Sequence, residues 1–518
     1  MKAVIISHSD LAGGAAIAAH RLHRGLLAAG VDSHMLVRAK LSDDARVAPH
    51  EPAATGQEWL AGLNSHVTTK ARAGVNNTTF SLPWPGEDLA AHPLVREADV
   101  INLHWVSHFV SPEGVRALLA LGKPVVWTLH DERPFTGGCH YTAGCEGFLT
   151  ACAACPQLQP EYQAIPAAAL ALSAGALQGL PPLTIVTPSR WLGHEAERSR
   201  LLGPCRVQVI PNSVDLDTFH PGDRAAARAE LGLSADALVL MFGAYTLGER
   251  RKGFDLLAAA LRSVLEDPQA AALHQQGRLV FAAYGKDEST LKKSGLPVRL
   301  LGDQPTPALM ARTLRAANLI ICPTREDNLP NVVMEAMACG VPVLSCNVGG
   351  VPDMITDREH GRLVPVEDGP ALAAALLELV RDPSPLPHWG RQARLKCETA
   401  YPLVRQGRDY AALFSSLMPT AAVSPDEATL LPVQLHLLHA LAEAQGRQAA
   451  LLKEQNTALS AAAKTAASEA KAKPSAALAL KFIEQQLKAL RSQGGLSRWS
   501  PTAWALRKTR DFLRRIQG

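Results

Sequence analysis

Pro323–Pro352 reads PTREDNLPNVVMEAMACGVPVLSCNVGGVP, and it is bracketed by two short apolar runs, Leu319–Cys322 before it and Pro342–Cys346 within it. Runs of four or five apolar residues bounded by Pro, Asn and Gly are the signature of buried strands. Between them, Asn331 to Ala338 carries good helix formers and ends at Cys339-Gly340, where glycine can close a helix. The order is strand, loop, helix, strand, which is the unit of a parallel, doubly wound sheet. Ligands of such sheets sit outside the carboxyl ends of the strands, so the loop holding Glu326, Asp327 and Asn328 is expected to face a cleft. Asn331 is expected to N-cap the helix, leaving N–H groups near Asn331–Val333 aimed at an anion. Carboxylates beside an anion site make sense if they bind hydroxyls, and a sugar nucleotide supplies both hydroxyls and a diphosphate.

The same alternation extends in both directions. Upstream, strands are expected at Ala3–Ser7, His34–Arg38, Val100–His104, Pro124–His130, Pro182–Thr187 and Val207–Ile210, with a helix opened by Gly13-Gly14 and another after Ser189. The pattern restarts at Leu238–Gly243 and continues through Leu279–Tyr284, Val298–Leu301 and the stretch quoted above, closing with helices over Pro370–Arg381 and Arg405–Leu417. Two successive α/β units of about 200 residues match ordinary domain size. Residues 1–205 are expected to form the first, 206–418 the second, and 419–518 an Ala-rich helical extension. The stretch Ser42–Glu97 has no clear pattern.

Three further segments carry chemistry. Gly248–Leu257, GERRKGFDLL, puts Arg251 and Lys252 just ahead of a helix. Cations fixed there would stabilise charge that builds on a departing diphosphate. Gly13-Gly14 follows the first strand, where missing side chains let backbone approach a ligand. His130, in VVWTLHDE, ends a strand on the cleft side.

These segments resemble the retaining glycosyltransferases of GT-B fold, glycosyltransferase family 4 in particular. The resemblance rests on the two acids eight positions apart (Asp327 and Glu335), on GGAAIAAHRLHRGL, on TLHD and on IPNSVDLDTFHP at Ile210–Pro221. It implies two facing Rossmann-like domains, the first for the acceptor and the second for a nucleotide-sugar donor. It also implies that Asp327, with Asp where Glu is usual, holds donor hydroxyls, with Glu326 one position out of register as the alternative. Glu335 would hold the ribose, Arg251 and Lys252 the diphosphate, and His130 the donor sugar near the reaction centre. Asn328, Leu329, Pro330 and Asn331 complete the donor loop, and Gly13-Gly14 lie against the diphosphate or the acceptor. The family's front-face route needs no protein nucleophile and no catalytic metal, so Asp215-Leu216-Asp217 is read as structural. The segment GGCHYTAGCEGFLTACAACPQL resembles a subfamily linked to exopolysaccharide synthesis. A glycan or lipid-linked acceptor follows from that likeness.

Four of the nine cysteines, Cys139, Cys145, Cys152 and Cys155, fall in the loop 138–158. Their spacing suits a structural zinc, with free thiols or a redox-labile pair as the alternative. The net charge of +4 is local: residues 496–518 hold six cations and one Asp, leaving 46 basic and 47 acidic residues elsewhere. No nucleic-acid footprint is expected on the body. The end of the chain, with Trp499, Trp504 and Phe512 among cations, reads either as a peripheral membrane helix or as one docked on protein. No secretory or membrane-spanning segment is expected, and the cytoplasm is the expected compartment. An epimerase or phosphorylase on the same fold, or a non-catalytic scaffold, are the competing readings.

Overall fold

In the computed structural model the described residues are 1–51, 64–65, 68–69, 71–74, 78–83, 86–180, 183–243 and 245–418. The expected helical extension 419–518 and its basic end 496–518 lie outside them. The described chain builds two all-parallel sheets. The first has seven strands in the order β3-β2-β1-β4-β5-β6-β7: β1 Lys2–Ser9, β2 Asp32–Ala39, β3 Val47–Pro49, β4 Val100–Leu103, β5 Val125–Thr128, β6 Thr184–Thr187 and β7 Arg206–Val209. The second has six in the order β10-β9-β8-β11-β12-β13: β8 Leu238–Gly243, β9 Leu279–Tyr284, β10 Val298–Leu300, β11 Leu319–Cys322, β12 Val343–Cys346 and β13 Gly361–Val364.

Each sheet reverses strand order at its middle, between β1 and β4 in the first and between β8 and β11 in the second. Those are the switch points at which loops diverge and leave a crevice. Inside each sheet the strands are buried on both faces, which is why they read as continuous apolar runs, while the edge strands β3, β7 and β10 are partly exposed. Ile5, Met35, Val37 and Val126 pack on one face of the first sheet, and Val4, Ile6, Ile101 and Val125 on the other. Met241, Ile320 and Val343 face one core of the second sheet; Leu240, Phe242, Ile321 and Leu344 face its opposite core. The short strands β3 and β13 and the helix Leu386–Ala400 were not foreseen.

The expected division at 205/206 is corrected at both ends of the second unit. Strand β7 pairs with β6 and belongs to the first sheet. The final helix, Leu403–Leu417, also returns to it. Tyr410, Leu413 and Phe414 are buried in the core of β1, β2 and β5, and the Tyr410 hydroxyl is 2.9 Å from the Thr128 hydroxyl. Two glycines permit this crossing. A Cβ on Gly25 would strike the Leu403 carbonyl, and one on Gly407 would strike the Gly25 carbonyl. Pattern alone attached the helix to its sequence neighbours; packing gave it to the first sheet.

Candidate functional site

The loops after β1, β5, β8 and β11 enclose a cavity of 610 Å³ between the two sheets. Its walls include Gly13, Gly14 and His130 from the first half, and Arg251, Lys252, Asp327, Asn328, Leu329, Pro330, Asn331 and Glu335 from the second.

The donor-loop helix is Asn331–Ala338, as expected, but its N-cap is Pro330 and no side chain caps it. Asn331 already lies inside the helix, and its side-chain amide donates across the cavity to the Gly14 carbonyl at 2.9 Å. The Val333 N–H turns back to the Pro330 carbonyl at 3.1 Å. The anion-facing set expected over Asn331–Val333 is therefore shortened, because the first turn closes on itself. Gly14 keeps the approach open: a Cβ there would sit 3.4 Å from the Asn331 amide. Gly13, at φ 90, makes the turn into the helix Gly14–Ala28, a conformation that side chains resist.

Asp327 and Glu326 face opposite ways. The Asp327 carboxylate is buried at the cavity wall, where Oδ2 accepts from Arg251 Nη1 at 2.8 Å and from Lys252 Nζ at 2.9 Å. Burial alone would raise its pKa; the Lys252 and Arg251 charges outweigh that and hold it below the ordinary carboxylate range. Arg251 also stacks on the Tyr141 ring, 4.1 Å from its centroid, while Lys252 is more exposed. Glu326 leaves the cavity for the first half of the molecule. It accepts from the Ala143 N–H at 3.1 Å and lies 3.4 Å from the Thr142 hydroxyl, beside buried Glu132. Glu132 in turn accepts from the Thr142 N–H at 2.7 Å. Burial, and then the proximity of Glu326, push the Glu132 carboxyl well above its usual range.

Glu335 is buried and meets Arg21 of the first helix, Nη2 to Oε1 at 2.6 Å. Burial raises its pKa in spite of the Arg21 charge. His130 sits 2.8 Å from His104, and burial lowers its pKa to about 4. Asp131 beside it is engaged elsewhere, by Trp105 Nε1 at 2.8 Å and His140 Nδ1 at 2.6 Å. Asp215 is tied to Arg24 at 2.7 Å and to Thr218. Its neighbours are those of a structural brace.

The expected zinc site is not formed. All four loop cysteines are free thiols, and among the described residues no group of three or more His, Cys, Asp or Glu side chains is placed to hold a metal ion. Cys139 and Cys155 instead pack in an apolar cluster with Ala71, Phe80, Leu82 and Leu158. Burial pushes the thiols of Cys139, Cys152 and Cys155 upward, toward the neutral form.

Sequence reading missed Arg21, Glu132, Tyr141 and His104. His104 alone left a usable signal, since it follows β4 just as His130 follows β5, at the carboxyl edge of the sheet. The others reach the site from loops and a helix whose approach no local pattern records.

Two family models match this chain: Glycosyltransferase Family 4 over residues 12–218 and Glycosyl transferases group 1 over residues 236–382. Among curated relatives, a D-inositol 3-phosphate glycosyltransferase of Segniliparus rotundus is 34% identical over 192 residues, 36% of this chain and 42% of the relative. One from Catenulispora acidiphila is 36% identical over 196 residues, 35% of this chain and 45% of the relative. The chain thus spans less than half the length of these relatives. Among solved structures, sucrose-phosphate synthase from Thermosynechococcus elongatus aligns with a TM-score of 0.54 at 19% identity, over 80% of this chain and 98% of the other. The Anabaena protein HepE in complex with UDP-glucose aligns with a TM-score of 0.54 at 17% identity, over 80% of this chain and all of the other. Among the described residues no helix is long and apolar enough to cross a membrane. Between them the two models match residues 12–218 and 236–382, most of both sheets, and the chain is a glycosyltransferase of GT-B fold that is similar to family 4.

Proposed function

We propose that the protein is a retaining glycosyltransferase that takes a hexose from a nucleotide-diphosphate donor and passes it to a hydroxyl of a glycan or lipid-linked acceptor. One observation carries this reading. A carboxylate, Asp327, is held at the cavity wall by two cations, Arg251 and Lys252, opposite the side-chain-free backbone of Gly13-Gly14. The arrangement suits a ligand with hydroxyls next to a diphosphate. When the donor enters, Lys252 exchanges Asp327 for phosphate oxygens, and Asp327 is freed to accept from sugar hydroxyls. Glu335 takes the ribose, and His130 faces the sugar.

In the transfer, the bond from the anomeric carbon to the phosphate oxygen breaks and one to the acceptor oxygen forms on the same face. The acceptor proton passes to the departing phosphate. Arg251 and Lys252 stabilise the negative charge that grows on the leaving group, a contribution larger in the transition state than in the ground state. No protein nucleophile and no metal takes part in this scheme. The test is a thermal-shift screen of nucleotide sugars, followed by donor hydrolysis without acceptor. Failure of every nucleotide sugar to stabilise or turn over would defeat the reading.

A second acceptor reading comes from the relatives' names: a small phosphorylated polyol in place of a glycan. Transfer assays with inositol phosphate and with a lipid-linked saccharide, under one donor, separate the two. The likeness of the loop 138–158 to exopolysaccharide enzymes supports the glycan, and with it a part in cell-surface polysaccharide synthesis. A cytoplasmic enzyme held peripherally on the membrane by residues 496–518 suits such an acceptor. Loss of binding to anionic liposomes on deleting 496–518 would support that attachment, and unchanged binding would remove it.

A further inference from the structure

Asn102, His104 and His130 form a chain of hydrogen bonds whose directions are fixed by valence. The Asn102 amide nitrogen donates to the Val126 carbonyl at 3.1 Å and to the Thr128 hydroxyl at 3.0 Å. Its Oδ1 is therefore the atom that meets His104 Nε2 at 3.0 Å. An amide oxygen only accepts, so His104 carries its proton on Nε2. His104 is buried, and desolvation, with the neighbouring His130 next, drives its pKa well below the usual histidine range. The ring is neutral, and its Nδ1 is a bare lone pair.

That Nδ1 lies 2.8 Å from His130 Nε2. Two lone pairs at this distance repel, so the proton between the rings belongs to His130 Nε2. His130 is itself neutral near pH 7, its pKa lowered by burial to about 4. Its one remaining nitrogen, Nδ1, is then an acceptor, on a ring that lines the cavity. Asp131, the nearest carboxylate in sequence, draws the His130 pKa upward but less than burial lowers it, and its oxygens are bonded elsewhere. It is engaged by Trp105, His140 and the Arg133 N–H at 3.0 Å.

We propose that His104, oriented by Asn102, is a positioning residue that locks His130 as the neutral Nε2–H tautomer, so that Nδ1 offers a lone pair to a hydroxyl of the donor sugar. This rests on reading the cavity as a sugar-nucleotide site. A bare nitrogen suits the reaction, because positive charge grows at the anomeric centre in the transition state. An N–H or an imidazolium at that place would oppose it. Asn328 of the second half reaches His130 only at its backbone carbonyl, and among the described residues the partners that set the ring's proton come from the ends of β4 and β5 in the first sheet.

The test reads the tautomer directly. Full-length protein labelled with 15N-histidine gives two-bond proton–nitrogen correlations that distinguish Nε2–H from Nδ1–H rings. His104→Asn and His130→Gln assign the two signals. At pH 7 the wild type is expected to show both rings neutral and protonated on Nε2. Asn102→Asp places a carboxylate on His104 Nε2, charges His104 and makes its Nδ1–H a donor. His130 is then expected to invert to Nδ1–H, and kcat to fall about 100-fold, the scale for one misplaced transition-state contact. His104→Asn, whose amide oxygen can accept from His130 Nε2–H, is expected to keep the tautomer and most of the rate. A wild-type His130 protonated on Nδ1, or charged at pH 7, overturns the proposal. So does an inverted His130 with unchanged kcat. If no nucleotide sugar is turned over by any form, the proposed function falls, while the spectrum still decides the relay.

Discussion

The two walls of the cavity manage charge in opposite ways. The second-sheet wall is ionic: Asp327 is clasped by Arg251 and Lys252, and Glu335 waits on Arg21. On the first-sheet wall the two histidines are kept uncharged, His130 by burial and His104 by burial and then by His130, while the Asp131 carboxylate is tied to His140 and Trp105. An ionic wall suits a partner that arrives charged and leaves more charged, as a diphosphate does. A neutral wall of lone pairs and bare glycine backbone suits hydroxyls and a reacting carbon. The difference is also one of origin. The second-half residues of the ionic wall come from two stretches of chain, Arg251-Lys252 and Asp327–Glu335, whereas the histidines and glycines opposite are assembled from three strand ends, those of β1, β4 and β5.

The largest test of this contrast is Asp327→Asn. It takes the carboxylate away from Lys252, leaves Arg251 paired with Glu249 alone, and replaces a charged hydroxyl acceptor by a neutral amide. Transfer is expected to fall about 10²–10³-fold in steady-state kinetics, and a wild-type rate would show that the ionic wall is not the donor site. Next is Gly407→Val, which forces a side chain into the Gly25 carbonyl and lifts the last helix from the first sheet. Overpacking of this kind costs about 1–3 kcal/mol. A lowered thermal midpoint is expected, and an unchanged one would mean that this helix does not hold the neutral wall in place.

Glu335→Gln keeps the shape and removes the charge that Arg21 meets. Loss of one charge-assisted contact to ribose is expected to raise donor KM about tenfold, with kcat changed far less. A fall in kcat at constant KM would move Glu335 from binding to chemistry. The smallest effect concerns the seam between the walls. Glu132 has its folded pKa raised above its ordinary value near 4.5 by burial and by Glu326. The folded chain thus keeps a proton that the unfolded chain releases, so stability drains as pH rises above about 4.5. Glu132→Gln should flatten that slope, giving a variant more stable than wild type at pH 8 and little different from it near pH 4. Parallel denaturation curves at the two pH values check it.

Much of the second sheet was legible because its chemistry is local. The strands Leu238–Gly243, Leu279–Tyr284 and Leu319–Cys322 and the helix Asn331–Ala338 fall where their apolar runs and periodicity put them. Lys252 and Asp327 stand at the loop positions that a parallel sheet exposes at its carboxyl edge. The choice between Glu326 and Asp327 was not legible. Neighbouring loop carboxylates have equal claims until the backbone sends one to the cations and the other to Thr142 and Ala143. The cysteine spacing left a zinc site and free thiols both open for a related reason. Ligand spacing limits what thiols can reach, while apolar packing around Cys139 and Cys155 decided what they do.

By itself, the sequence determined the class of fold and the loop, Glu326–Asn331, that faces the cavity, because a buried parallel strand must be an apolar run and its cleft loop must follow it. The tertiary structure alone decided which strand ends share a wall. It set Arg21 against Glu335, His104 against His130 and the last helix against the first sheet, across separations of 314, 26 and 282 residues for the contacts Arg21–Glu335, His104–His130 and Thr128–Tyr410. Such pairings depend on how two packed sheets close on one another, and burial then sets the charge of each group they enclose. Local periodicity carries no record of either.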